Sequence, residues 1–272
     1  MAKGAYFTKH FDDTLKKGIY ETQVPNVNFL YQTPTTTKNV EYDVGDKVVL
    51  PDGREFRYAK SLGNNALFAA HGVSFTYTGY VSYTAFAVSA DSGATEITIP
   101  AASHGALTLD ELRGGYVIIF DGATDLDTTV RGIVGNDAAD DGAAFKVQLD
   151  GQIHNAIVAG TEAAEVYQNP WIGMEVASNV ALPIAGVPTT TVSAAANYFW
   201  VQTKGITWVA PQTGVGDHGG MLTCWRHDGS LESAETAFNV TVPGTDRTQI
   251  AGYCIQGSKA GNGPLLMLAD HG

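Results

Sequence analysis

Asp46-Lys47-Val48-Val49-Leu50-Pro51-Asp52-Gly53-Arg54-Glu55-Phe56-Arg57-Tyr58 reads as a β-hairpin. Val48 and Leu50 point one way. Pro51-Asp52-Gly53 turns the chain, and Phe56 and Tyr58 resume the apolar alternation on the return. Asp-Gly supplies the positive φ that tight hairpins need.

Downstream, the same period of two recurs. Tyr77–Ala90 reads as a long strand, and Thr95–Ile99 alternates Ile97 and Ile99 inward against Glu96 and Thr98 outward before Pro100 ends it. Thr108-Leu109-Asp110-Glu111 matches a capping box, which predicts about two turns of helix stopped by Arg113-Gly114-Gly115. Tyr116–Phe120, Thr128–Val134, Ala144–Leu149 and Glu165–Tyr167 follow as short strands, several of them separated by Asp-Gly turns. After Asn169-Pro170-Trp171 and a small-residue stretch, Pro183 to Ala196, come Tyr198–Gly205, Thr207–Ala210, Met221–Cys224, Phe238–Val242, Gln249–Gln256 and Pro264–Leu268.

Upstream, residues 1–45 have no sustained period but carry Phe7, Phe11, Leu15, Ile19, Tyr20, Phe29, Leu30 and Tyr31 among prolines and threonines. That is too apolar for a free linker, so the segment reads as an extended arm lying on a surface, its own or a neighbour's. The expected architecture is mainly β: a sandwich- or barrel-like body with this N-terminal arm and at most short helices. The expected division is 1–45 arm, 46–168 first β region and 169–272 second β region, the last two forming two domains or one.

Composition agrees with a β body that hides surface. Charged residues make up only 16% of the chain, against ~25% in ordinary domains, so few side chains keep the surface solvated. Residues 1–60 hold nine basic and eight acidic residues, whereas 61–272 hold seven basic and twenty acidic. An acidic body disfavours nucleic acid, whose phosphates are bound by displacing counterions with basic side chains. Met1-Ala2-Lys3-Gly4 opens no apolar signal segment and no apolar run approaches ~18 residues, which predicts synthesis in a cytoplasm and no membrane span.

The sequence offers little for catalysis. Gly257-Ser258-Lys259-Ala260-Gly261 has the glycines of a nucleophile elbow but misplaces the serine. Gly214–Gly219 fits GxGxxG by letter, yet no helix follows to hold a phosphate. His218 and His227 each neighbour an aspartate, Asp217 and Asp228, in glycine-rich stretches that read as turns. Asp121–Asp127 and Asp137–Gly142 are acidic loops without the spacing of a twelve-residue calcium loop. Cys224 and Cys254 read as two buried small apolar residues, with a disulfide left open because sequence does not reveal Cα separation. Tyr198-Phe199-Trp200, Trp208, Trp171 and Trp225 read as core or subunit interface. No catalytic, metal or cofactor-binding residue is singled out, and the candidate interface is Phe7, Phe11, Ile19, Tyr20, Phe29, Tyr31, Trp171 and Trp200.

Gly45-Asp46-Lys47-Val48-Val49-Leu50-Pro51-Asp52-Gly53-Arg54-Glu55-Phe56-Arg57-Tyr58-Ala59 resembles the opening of a group of proteins encoded by tailed bacteriophages. Asn169-Pro170-Trp171 and Tyr198-Phe199-Trp200-Val201-Gln202-Thr203-Lys204-Gly205 resemble two later landmarks of that group. Such chains are similar to capsid decoration, or cement, proteins. The resemblance implies a non-enzymatic virion protein on the capsid exterior, without cofactor. Its implied partners are the major capsid protein and further copies of itself, as a homotrimer or dimer, with neither nucleic acid nor membrane. Two rivals share the composition: a tail-fibre or other receptor-binding module that reads glycans, and a polysaccharide-degrading enzyme. Fibres and depolymerases usually show repeats or long β-helical ladders, and none is visible in the sequence.

Overall fold

A computed structural model describes residues 10–12, 17–19, 27–62, 66–76, 79–120, 128–176, 182–193, 195–211, 215, 221–234, 246–256 and 265–270, with backbone only for 10–12, 17–19 and 246–248. The described residues are mainly β-structure. Strands β1 (His10–Asp12) and β2 (Lys17–Ile19) pair with each other, and a 3-10 turn spans Val27–Tyr31. Next come β3 (Lys47–Val49), β4 (Glu55–Ser61) and β5 (Val73–Ser74).

The expected hairpin forms as β3 and β4, with Val48 opposite Phe56. Leu50 N donates to Arg54 O at 2.8 Å, and Gly53 takes φ +84. Gly53 is where the turn needs the left-handed region, and Asp52 accepts the Arg54 amide to close it.

Six strands follow: β6 (Gly79–Ala85), β7 (Glu96–Ile99), β8 (Tyr116–Phe120), β9 (Thr129–Asn136), β10 (Phe145–Leu149) and β11 (Ala163–Tyr167). They make one antiparallel sheet in the order β6-β11-β8-β9-β10-β7. Ile97, Ile99, Val117, Ile119, Val147 and Val166 line its buried face, as alternation predicts.

The helix expected after Thr108 does not form. Thr108 N and Oγ1 both donate to Glu111 Oε2, as in a capping box, but residues 109–114 are turns. Asp110 takes φ +60 inside the would-be first turn, and Gly114 follows too soon for a helical nucleus to propagate. Asn136 organises these turns instead. Its Oδ1 accepts the Leu112 amide, while its Nδ2 donates to Thr108 O and Asp137 O.

The chain then returns through β12 (Ile172–Val176), β13 (Ile184–Pro188), β14 (Tyr198–Trp208), β15 (Leu222–Arg226), β16 (Leu231–Ser233), β17 (Asp246–Gln256) and β18 (Leu265–Leu268). β4, β12, β5, β13 and β14 pair in succession, and β14 pairs back with β4, so these five strands close a barrel. The two strands expected at 198–205 and 207–210 are one, β14. Its first half belongs to the barrel, and its second half leaves to pair with β18. Gly205, at φ +88, sits at that changeover.

Compact units cut the chain close to the expected boundary at 168, and a second cut follows Thr76. One unit is Met1–Thr76 with Trp171–Gly272; the other is Tyr77–Pro170. The reason is pairing: β4, from the expected first region, lies between β12 and β14 of the second.

β13 is buried at all five positions and β14 from Phe199 to Thr203, so these two barrel strands are covered on both faces, whereas β4 alternates buried and half-buried residues. Phe199 and Val201 of β14 join Ala59, Phe75, Trp171 and Met174 in one core. Trp200 faces the other way, with Phe56, Tyr58, Val48 and Leu30. Residues 27–45 are therefore partly a cover on the chain's own barrel.

Candidate interaction surfaces

Beyond the barrel, β14 continues into a sheet ordered β14-β18-β17-β15-β16. Alternation along Leu265-Leu266-Met267-Leu268 splits the strand between two environments. Leu266 and Leu268 enter a core with Trp225, Leu231 and Ala251, while Leu265 and Met267 face outward. The outward row is extended on both sides by register: Ile206 lies opposite Met267, Trp208 opposite Leu265, and Tyr253 opposite Met267.

A bulge in β17 adds one more residue. Ile250 and Tyr253 are three apart and would face opposite ways in a regular strand. The shift opposite Thr223 and Cys224 brings both to the outer side. Ile206, Trp208, Ile250, Tyr253, Ile255, Leu265 and Met267 are each 41–59% exposed. The spans 206–208, 253–255 and 265–267 contain no Asp, Glu, Lys or Arg. Lys204, where β14 leaves the barrel, is ion-paired with Asp270 and Glu55.

A second feature lies where residues 27–42 cover the barrel. Phe29 stacks on Tyr42 at 5.6 Å, both rings meet Trp200 edge-on, and Tyr58 stacks on Tyr198 at 5.8 Å. Burial pushes the Tyr58 hydroxyl above its ordinary pKa, and its oxygen accepts the Asn39 amide at 3.2 Å. Beside these rings is an open groove of about 290 Å³, rimmed by Gln32, Thr33, Thr35, Thr37 and Asn39. Among the described residues that line it there is no carboxylate. Lys38 on the rim is paired with Asp43, and the Lys60 ammonium lies 5.4 Å from the Tyr198 ring centroid.

No family model, curated protein or solved structure matches this chain.

Of the eight residues expected to meet a partner, Phe7 and Tyr20 lie outside the described residues. Phe11 and Ile19 belong to the β1–β2 pair, where the backbone alone is described. Phe29 is half-buried in the aromatic cluster, and Tyr31 is exposed. Trp171 packs edge-on to Phe75 at 5.0 Å beneath the Arg57 guanidinium, and Trp200 sits among Phe29, Tyr42 and Tyr58. At 7% and 4% exposure these two rings are core of the chain itself and leave little for a partner. The outward tryptophan is Trp208. Its place on a strand that alternates Ile206, Thr207, Trp208 is the available signal, and the expected break between 205 and 207 hides it.

The chemical candidates resolve similarly. Among the described residues no group of three or more His, Cys, Asp or Glu side chains converges as a metal site would. Asp228 closes a turn, accepting from Ser230 N at 3.0 Å and Ser230 Oγ at 2.6 Å. The Asp121–Asp127 loop, Phe238–Val242, Gly257–Gly261 and His218, along with Gly214–Gly219 apart from Val215, lie outside the described residues. Cys224 and Cys254 are free and buried, and burial raises both thiol pKa values. Cys224 pairs with Ile250 on the outer side of the sheet, under Ala234, while Cys254 alternates with outward Tyr253 and faces inward.

Proposed function

We propose that this chain is a structural virion protein, a capsid decoration or cement protein that binds the outside of a phage head and stabilises contacts between major capsid subunits. The observation that carries this reading is the outward face of β14, β18 and β17, with seven large apolar side chains in solvent. Contiguous exposed apolar surface on that scale marks a subunit of an assembly, a face meant to be covered by another chain, whether a further copy or a capsid subunit. Low overall charge supports the same reading, because permanent interfaces exclude charged side chains from their centres. A cement protein acts by area: ~1,000 Å² of well-packed contact per copy, repeated around a shell, resists the outward load of packaged DNA. No catalytic step is part of the role. The partners are the major capsid protein and further copies of this chain. The place of action is the capsid exterior, after synthesis in the host cytoplasm. Mass spectrometry of purified particles tests it: hundreds of copies per virion are expected, and a dozen or fewer would move the protein to the tail.

The aromatic groove favours one alternative, a receptor-binding module that recognises glycans. Aromatic rings beside threonine, asparagine and glutamine suit the faces and hydroxyls of a sugar. A glycan array probed with the purified protein discriminates the two: binding abolished by Tyr198→Ala favours the receptor-binding module.

A further inference from the structure

We infer that the outer face of β14, β18 and β17 is where a second copy of this chain docks, in a twofold, self-complementary contact. The inference rests on reading the chain as an assembly subunit, and it assigns one surface to one partner. The exposed area of the seven apolar side chains comes to roughly 700 Å², close to the ~800 Å² that each partner brings to a standard-size interface. Apolar area at that density resembles the core of a permanent homodimer more than a polar, transient contact.

Charge selects the location. Each chain carries a net charge of −12, so two copies repel over most of their surfaces. The spans 206–208, 253–255 and 265–267 lack charged residues, so two copies can approach there without desolvating a carboxylate. Lys204 and Asp270 are already paired at the margin, where a polar rim belongs.

Strand order supplies the self-complementarity. β18 lies between β14 and β17, so a twofold axis along β18 sets β14 of one copy over β17 of the other. Ile206 and Trp208 then meet Ile250, Tyr253 and Ile255, and Leu265 and Met267 meet their own counterparts near the axis. Sheets stacked face to face interdigitate side chains across ~10 Å, and the flexible Met267 thioether can fill what the larger rings leave.

Sedimentation equilibrium of the full chain at micromolar concentration tests the contact. The expected mass is twice the 28.7 kDa of one chain. Met267→Lys and Leu265→Lys change positions already in solvent in the single chain, so the circular dichroism and urea midpoint should stay near wild type. Both should run as single chains, with self-association weakened about 100-fold or more by a lysine at the centre. Ile255→Ser, nearer the edge, should weaken it less and keeps the test decisive if a lysine variant does not fold. A wild-type chain that sediments as a monomer overturns the inference, as do lysine variants that keep the wild-type mass. A monomer in which the Met267 thioether resists peroxide oxidation only while residues 1–26 are present also overturns it, assigning the face to that segment. A solution monomer found at hundreds of copies per particle would sink the dimer and leave the decoration reading standing. A stable dimer absent from virions would do the reverse.

Discussion

The side-chain amide of Gln249 pairs with the backbone of Ile184 as a neighbouring strand would. Gln249 Oε1 accepts from Ile184 N at 2.7 Å, and Gln249 Nε2 donates to Ile184 O at 2.8 Å. Ile184 begins β13 of the barrel and Gln249 lies on β17 of the outer sheet, so one amide joins the two. Gln249→Ala should cost about 2 kcal/mol, because it leaves a buried donor and a buried acceptor unpaired. Gln249→Glu should cost at least as much, since a carboxylate cannot donate to Ile184 O. Urea unfolding of both variants measures this, and a loss under half the stated value would show that water replaces the amide.

Two glycines with similar backbones should behave differently. Gly53 has φ +84 with nothing within 4 Å of an added Cβ. Gly205 has φ +88, and a Cβ there would sit 2.9 Å from Arg54 Cα and Cγ. Gly53→Ala should cost about 1 kcal/mol from backbone strain alone, and Gly205→Ala about 1–3 kcal/mol more from the collision. Equal losses in thermal or urea melts would mean that β14 and the hairpin part easily.

Acidification should weaken the outer sheet through Asp228. Burial by itself would push this carboxyl up, but the Ser230 hydroxyl and amide, with Arg226 and His227 nearby, hold it below the ordinary carboxylate value. A carboxyl depressed on folding stabilises the native state above its unfolded pKa, and that contribution disappears as pH falls through the folded pKa. The urea midpoint should therefore drop below about pH 4, and Asp228→Asn should show a shallower drop. Parallel curves for the two proteins would assign the acid limb to other carboxylates.

The thiols of Cys224 and Cys254 should be silent in the native protein. Both are buried and their pKa values are raised, so little thiolate forms and reagent has no path to it. A disulfide-exchange reagent at pH 8 should label neither until urea unfolds the chain, and then both. Native-state labelling of Cys224 would mean that the segment around Ala234 opens on the timescale of the assay.

Local pattern carried far along this chain where one face of a strand was apolar. The β3–β4 hairpin and strands β7, β8 and β10 lie where alternation and Asp-Gly turns put them. It failed where side chains were small or both faces were buried. β13, Ile184-Ala185-Gly186-Val187-Pro188, is buried at all five positions and shows no alternation. β5 is two residues long and β12 follows a Trp with no period. The Thr108–Glu111 contact was also legible, but it closes a turn because a positive φ at Asp110 is incompatible with the helix it would have capped.

From sequence alone came the β class, the hairpin, the poverty of charge and an apolar N-terminal segment, because composition and a period of two are local properties. Only the tertiary structure decided that β4 meets β14, with Tyr198 opposite Lys60 across more than a hundred residues, and so closed the barrel. It also decided that Trp171 is buried in the barrel core and Trp200 beneath residues 27–42, while Trp208 stays exposed. Which side of a strand is covered depends on what folds over it, and that is a property of distant chain, not of the strand's own residues.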